Sequence, residues 1–217
     1  MIAVAFAATA AVGGAADSVM RRQADGFLQA LPDGLQQTQT LAVEKAIARD
    51  NAALLGIDAS RISAGGDSSG GNLALAVALS DECRGVLESL VLFYPVTKAF
   101  ADGSESWRKY GSGYGLDADL MEAFNRAYLG GTDSENHAVS VGLCSGEQLR
   151  RLPRTLLVAA GRDILRDQGC ELAEKSGGRI ERVEFPDAVH LFITVPGQDE
   201  AFRKAVDLTY EFITQKQ

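Results

Sequence analysis

The order of apolar and polar residues along the chain alternates between strand-like and helix-like segments. Short apolar runs predict four strands, at residues 61–66, 89–94, 155–160 and 179–185. Longer segments predict five helices, at residues 36–55, 73–79, 117–129, 166–175 and 198–213. Strands that alternate with helices are typical of an α/β fold.

Two segments do not follow this alternation. Residues 98–115 contain Gly, Ser and aromatic residues without a period, which predicts a long loop. Residues 1–12 are apolar and rich in Ala, but they lack the basic residues that begin a signal peptide. We therefore favour a buried strand or a remnant at the start of the chain, with a cleaved signal as the alternative.

Length and composition indicate one globular domain. The chain has 217 residues, of which 46% are hydrophobic and 23% are charged. Its net charge of −8 argues against binding to nucleic acid or to an anionic membrane surface. The sequence has no run of 18 strongly apolar residues, so we expect no membrane span.

The three cysteines indicate neither a disulfide framework nor a zinc site. Cys83, Cys144 and Cys170 are an odd number, are widely spaced and include no C-x-x-C motif. We expect them to be reduced thiols, which fits a cytoplasmic location.

A G-x-S-x-G motif lies between a predicted strand and a predicted helix. Its residues are Gly66-Asp67-Ser68-Ser69-Gly70. A strand–turn–helix of this kind forces the serine into a strained turn that projects its hydroxyl above the sheet. The glycines are needed because side chains there would collide with the neighbouring strand and helix. The motif predicts Ser68 as a nucleophile, with the backbone N–H of Ser69 as a donor to an oxyanion.

A serine nucleophile needs a base, and the chain offers only two histidines. His137 lies in a polar loop with no predicted strand beside it, which favours an ordinary surface residue. His190 follows the predicted strand that ends at Phe185, where a loop at the edge of the sheet would present it. We therefore predict His190 as the base.

An acid that orients the histidine is expected between the serine and the histidine in chain order. Asp163 follows the predicted strand 155–160, at the carboxyl edge where such sheets carry their sites. Asp167 is the competing candidate. Its alternative interpretation is a carboxylate in the first turn of the next helix, where the helix dipole favours it. We favour Asp163 as the orienting acid.

The motif and its surroundings resemble a known family. Residues 66–73, GDSSGGNL, are similar to the G-D-S-A-G-G-N-L elbow of the hormone-sensitive-lipase-like α/β-hydrolases. Further similar segments follow in the family's order, at residues 51–61, 93–96, 163–169 and around His190. The resemblance extends from Leu31 to the C-terminus, within a single domain of residues 1–217 whose first 30 residues diverge.

The resemblance implies a fold and an activity. The expected fold is an α/β-hydrolase fold, a mostly parallel sheet with helices on both faces. Members of the family mostly hydrolyse short-chain carboxylic esters through an acyl-enzyme, without a metal or cofactor. By resemblance, Ser68 is the nucleophile, His190 the base and then the acid, and Asp163 the orienting carboxylate. The expected partner is a small-molecule ester, and a homodimer stays open.

The sequence also departs from the family's pattern. Members carry an upstream H-G-G-G segment that supplies most of the oxyanion hole, but no histidine precedes His137 here. Gly13-Gly14 is a weak substitute because it lies too close to Ser68 in the chain. Losing one oxyanion donor typically costs about 10²–10³ in rate.

This departure leaves three hypotheses. The first is a serine esterase acting on small acyl esters. The second is a catalytically impaired fragment or pseudoenzyme that acts as a binding or structural protein. The third is that Met1 is a mis-assigned start, because 67 residues before Ser68 are too few for the strands that normally precede the elbow.

Overall fold

Five parallel strands form the sheet in a computed structural model that describes residues 3–7, 53, 58–81 and 83–215. The strands are β1 Ala3–Ala7, β2 Ile62–Asp67, β3 Ser89–Phe93, β4 Arg154–Arg162 and β5 Ile180–Val189. They lie in the order β1-β2-β3-β4-β5, and each pairs in parallel with the next. The α/β prediction is confirmed, and β1 confirms a strand within the opening apolar segment.

Six helices, numbered over the described residues, connect or flank these strands. They are α1 Ser69–Leu79, α2 Glu105–Tyr110, α3 Ala118–Leu129, α4 Gly146–Leu149, α5 Arg166–Lys175 and α6 Asp199–Thr214. The predicted helices 117–129, 166–175 and 198–213 agree with α3, α5 and α6 to within one residue at each end. The predicted helix 36–55 lies outside the described residues, apart from Ala53, which is helical.

Helices cover both faces of the sheet because its central strands are apolar on both sides. Leu90 and Leu92 of β3 pack in a core with α1 and α5. Val91 and Phe93, the alternate residues of the same strand, pack in a second core with α6. Successive side chains of a strand point to opposite faces, so β3 supplies both cores. This arrangement confirms the expected helices on both faces.

The predicted loop at residues 98–115 is wrong for six of its residues, because α2 lies within it. The hydroxyl of Ser104 accepts a hydrogen bond from the backbone N–H of Trp107 at 3.2 Å and so caps the helix. The Trp107 side chain is buried against Met121 and Ile164. Since α2 has fewer than two turns, no helical period is visible in its sequence.

Strands β4 and β5 extend further than their apolar patterns predict. The register shifts between Ala160 and Arg162, and β5 continues past Phe185 to Val189. The predicted strand ends at Phe185, directly before Pro186. Proline is tolerated in an edge strand, and β5 is the last strand of the described sheet, so β5 continues past it. Because β5 ends at Val189, it delivers His190 to the carboxyl edge of the sheet.

A close approach between these strands predicts that Gly161 tolerates no side chain. A Cβ atom there would lie 2.4 Å from the carbonyl oxygen of Pro186, which is backbone of β5. We expect Gly161→Ala to lower the free energy of unfolding by about 1–3 kcal/mol, measured by urea denaturation.

Gly169→Ala is the matched control for that change. Its Cβ would meet only the Leu157 side chain at 3.5 Å, and α5 would gain up to about 1 kcal/mol of helix propensity. Equal destabilisation by the two substitutions would contradict the proposed contact.

Candidate active site

The turn between β2 and α1 holds Ser68 in a strained conformation. Its φ of 51° and ψ of −117° lie where residues with side chains are rarely found. The backbone N–H of Ser68 donates to the carbonyl oxygen of Phe93 at 2.9 Å, and the N–H of Val96 donates to the carbonyl oxygen of Ser68 at 3.0 Å. The segment that follows β3 therefore fixes this turn from both sides.

Two glycines allow the turn to pack this closely. A Cβ atom on Gly66 would lie 2.3 Å from the backbone carbon of Gly70. A Cβ atom on Gly71 would lie 2.8 Å from the Cβ of Pro95. Both distances are shorter than real contacts, so the structure supports the prediction that side chains at the elbow would collide with the neighbouring chain.

The structure brings Ser68, His190 and Asp163 together from three strand ends. The Nε2 of His190 lies 3.0 Å from the Oγ of Ser68, and its Nδ1 lies 2.7 Å from the Oδ2 of Asp163. His190 and Asp163 are 4% and 1% exposed. An ionised carboxylate only accepts hydrogen bonds, so this arrangement suits the tautomer in which Nδ1–H donates to Asp163 and Nε2 accepts from Ser68.

The carboxylate of Asp163 is itself held in place. Its second oxygen, Oδ1, accepts the backbone N–H of Leu165 at 2.9 Å, and its backbone carbonyl accepts the N–H of Arg166 at 3.2 Å. Oδ1 is thereby used in the turn from β4 to α5, and Oδ2 is left for the imidazole of His190. This geometry leaves Asp163 one orientation, in which it faces the imidazole.

Backbone strain in the described residues clusters around this site. Ser68, Tyr94 and Leu191 are the non-glycine residues there with positive φ, at 51°, 36° and 64°. Tyr94 follows β3 directly, and Leu191 follows His190. Strain of this kind costs about 1–3 kcal/mol per residue and persists where the surrounding structure enforces it, as at functional sites.

The competing candidates lie elsewhere. His137 is exposed, as predicted for a surface residue. Asp167 lies in the first turn of α5, where its Oδ2 accepts the backbone N–H of Ser106 and its Oδ1 pairs with Arg166. Asp167 therefore connects α2 to α5. Gly13-Gly14 lies outside the described residues.

Ser69, the predicted oxyanion donor, is the first residue of α1. Backbone N–H groups in the first turn of a helix point out of its N-terminus, where the helix dipole favours negative charge. Ser69 directly follows Ser68, so its N–H lies at the elbow itself. The position fits the predicted donor.

Asn72 is a buried residue of the elbow helix whose role the sequence did not reveal. Its side-chain amide donates to the carbonyl oxygens of Val96 and Val139, at 3.0 and 2.9 Å. Its amide oxygen accepts the hydroxyl proton of Tyr128 at 2.7 Å. Asn72 thus ties the elbow to the segment after β3, to residue 139 and to α3.

Tyr94 is a second residue that sequence reasoning passed over. Its ring centroid lies 4.7 Å from that of His190. Burial raises the pKa of the Tyr94 phenol well above its usual range, and the carboxylates of Asp67 and Asp163 raise it further. The phenol therefore stays neutral at physiological pH. Its position at the end of the predicted strand 89–94 was the one available signal.

The described residues bear on three further expectations. They contain no group of three metal-ligating side chains. Cys83, Cys144 and Cys170 all lie among them and carry free thiols. No helix in the described part of the chain combines the length and the apolar character needed to cross a membrane.

The fold and the site together define a class of protein. In this class, a parallel α/β sheet presents a serine on a tight strand-to-helix turn to a buried histidine–aspartate pair. Chain order is Ser, Asp, His, which separates the class from unrelated folds with the same three residue types. The chain belongs to the alpha/beta hydrolase fold family, whose sequence pattern matches residues 25–194. The predicted family and fold are thereby confirmed.

Known proteins similar to the chain include enzymes of ester hydrolysis. Carboxylesterase NlhH of Mycobacterium tuberculosis is 35% identical over 164 residues, covering 70% of this chain and 51% of the relative. Ethyl acetate hydrolase of Pseudomonas putida is 30% identical over 172 residues, covering 76% of this chain and 54% of the relative. The chain spans about half the length of both relatives.

Solved structures give the same picture. One of two fungal esterases from Rhizomucor miehei superposes with a TM-score of 0.75 at 28% identity. The match covers 81% of this chain and 58% of the fungal one. The fold described above is thus similar to that of a solved esterase.

The anchoring of the elbow by Asn72 yields a prediction. Asn72→Ala removes the amide that donates to two buried carbonyl oxygens and accepts from the Tyr128 hydroxyl. We expect the free energy of unfolding to fall by about 2–4 kcal/mol, measured by urea denaturation.

Tyr128→Phe is the matched, milder change. It removes only the hydroxyl and leaves both amide donations of Asn72 in place, so the expected loss is about 1 kcal/mol. A larger loss for Tyr128→Phe than for Asn72→Ala would show that the amide donations do not hold the elbow.

Proposed function

We propose that the protein is a serine carboxylesterase that hydrolyses small acyl esters, with Ser68, His190 and Asp163 as its catalytic residues. The observation that carries the proposal is the continuous hydrogen-bonded chain from the Ser68 hydroxyl through the imidazole to the Asp163 carboxylate. Hydrogen-bond contact from nucleophile to base, and from base to an orienting group, is the arrangement that activates a serine.

In the proposed acylation step, the Oγ of Ser68 attacks the ester carbonyl carbon. The Nε2 of His190 takes the hydroxyl proton at the same time, and the carbonyl oxygen becomes an oxyanion. Asp163 stabilises the imidazolium that results, and the N–H of Ser69 donates to the oxyanion. When the tetrahedral intermediate collapses, the ester C–O bond breaks and His190 gives its proton to the leaving alcohol.

Deacylation repeats the sequence with water. His190 removes a proton from the water as the water oxygen attacks the acyl carbon of the Ser68 ester. The bond to Oγ breaks, Oγ regains the proton from His190, and the carboxylic acid leaves. Every proton passes through Nε2, so the step needs no metal or cofactor.

The names of the relatives support a small ester as the substrate. One relative is named a carboxylesterase and another an ethyl acetate hydrolase. The three free thiols support a reducing, cytoplasmic location. A homodimer stays an expectation.

A second candidate function is a catalytically impaired binding protein of the same fold. The observation that favours it is that no H-G-G-G motif occurs in the 217 residues, which leaves the N–H of Ser69 as the proposed oxyanion donor. Turnover of p-nitrophenyl esters by the full chain separates the two candidates. Multiple turnovers per chain would exclude the impaired protein.

The proposed roles predict the effect of removing the nucleophile. We expect Ser68→Ala to lower kcat for p-nitrophenyl acetate by about 10⁴–10⁶-fold, because no other group can form the acyl-enzyme. Residual turnover close to that of the unmodified chain would reject Ser68 as nucleophile.

The two histidines provide a matched pair of substitutions. His190→Ala should cost about as much as Ser68→Ala, and the double variant no more, because the residues act as one unit. His137→Ala changes an exposed residue and should leave kcat as it is. Additive losses for Ser68 and His190 would contradict a shared proton transfer.

A further inference from the structure

The ring of Tyr94 packs directly on the imidazole of His190. The ring centroids are 4.7 Å apart, and the ring planes are inclined by 56°. Tyr94 is 2% exposed and His190 4% exposed, so little water reaches the contact. Both imidazole nitrogens are hydrogen-bonded, one to Ser68 and the other to Asp163. The Tyr94 ring therefore contacts the imidazole as a ring and not through its nitrogens.

The backbone of Tyr94 is strained in a way that fixes the ring. Its φ of 36° is unfavourable for a residue with a side chain. The N–H of Tyr94 donates to the carbonyl oxygen of Val158 at 2.8 Å, which ties the residue to β4. This hydrogen bond to the neighbouring strand therefore holds Tyr94 in a backbone conformation that the residue would otherwise disfavour.

Other aromatic side chains continue the packing that begins with this ring. Phe192 meets it edge-on, with centroids 5.5 Å apart and planes inclined by 71°. Phe192 in turn contacts Phe185, at 5.4 Å between centroids. The Tyr94 ring thus contacts both Phe192 and the imidazole.

We propose that Tyr94 is a positioning residue for His190, whose ring keeps the imidazole between Ser68 and Asp163 and stabilises its protonated form. The inference rests on the proposed function for its catalytic meaning. An aromatic ring attracts a cation that lies over its face within about 6 Å of its centroid, most strongly where water is excluded. The imidazolium formed when Ser68 gives up its proton is such a cation.

The titratable groups around the imidazole come from three strand ends. Asp163 after β4 accepts from Nδ1, and Asp67 at the end of β2 acts on Tyr94, which follows β3. The two carboxylates, together with burial, keep the Tyr94 phenol neutral. Replacing Tyr94 leaves the carboxylates of Asp67 and Asp163 in place. A change in the pKa of His190 in such a variant is therefore caused by the loss of the Tyr94 ring.

The test uses the fact that the chain has only two histidines. With ¹⁵N-labelled histidine in the full 217-residue chain, NMR can follow the imidazole of His190 through a pH titration, and the exposed His137 serves as an internal reference. We expect Tyr94→Leu to lower the pKa of His190 by about half a unit to one unit. Tyr94→Phe, which keeps the ring, should leave that pKa unchanged.

Two further variants separate the ring's electrostatic effect from packing. Phe185→Leu makes a similar change in the same cluster, two rings further from His190 than Tyr94, and should leave the pKa of His190 unchanged. Pentafluorophenylalanine at position 94 keeps the size of a phenyl ring and reverses its quadrupole. This variant should lower the pKa of His190, and it tests the proposal if the Tyr94→Leu variant does not fold.

The proposal is overturned if the pKa of His190 stays the same in the Leu and pentafluorophenylalanine variants. It is also overturned if Phe185→Leu lowers that pKa as much as Tyr94→Leu does. The titration needs no turnover, so an inactive chain would contradict the proposed esterase function and still test the ring. In an active chain, the acid limb of kcat/KM must move to lower pH in the same variants.

Discussion

The attachment of the Ser68 turn to the end of β3 is the constraint on which the site depends. Two backbone hydrogen bonds, from Ser68 to Phe93 and from Val96 to Ser68, make this attachment. A net contribution of about 0.5–1.5 kcal/mol per bond is comparable to the strain of about 1–3 kcal/mol at a positive φ. The same short segment carries Tyr94, so the nucleophile and the ring beside His190 are fixed by one piece of chain.

The parallel sheet explains why distant residues meet. Ser68 follows β2, Tyr94 follows β3, Asp163 follows β4 and His190 follows β5. These four strands are neighbours in the sheet in the same order as in the chain. Parallel strands end at one edge, so four successive strand ends bring their side chains together without a long connecting loop.

Local patterns in the sequence could locate only part of this arrangement. The nucleophile, base and acid each follow a predicted strand, and His190 had a single competitor. The roles of Tyr94 and Asn72 depend on contacts across the fold, since Val139, which accepts from Asn72, lies 67 residues away in the chain. Helix α2 was too short to show a period, and the strand predicted to end at Phe185 continues past Pro186 to Val189.

Covalent labelling of the full 217-residue chain with a fluorophosphonate, followed by peptide mapping, tests the central claim most directly. A serine activated by a neighbouring histidine attacks the phosphorus atom and displaces fluoride. The account predicts a single adduct, on Ser68, that is absent when His190 is replaced by Ala. An adduct on another residue, or a folded chain that forms none, would contradict the account.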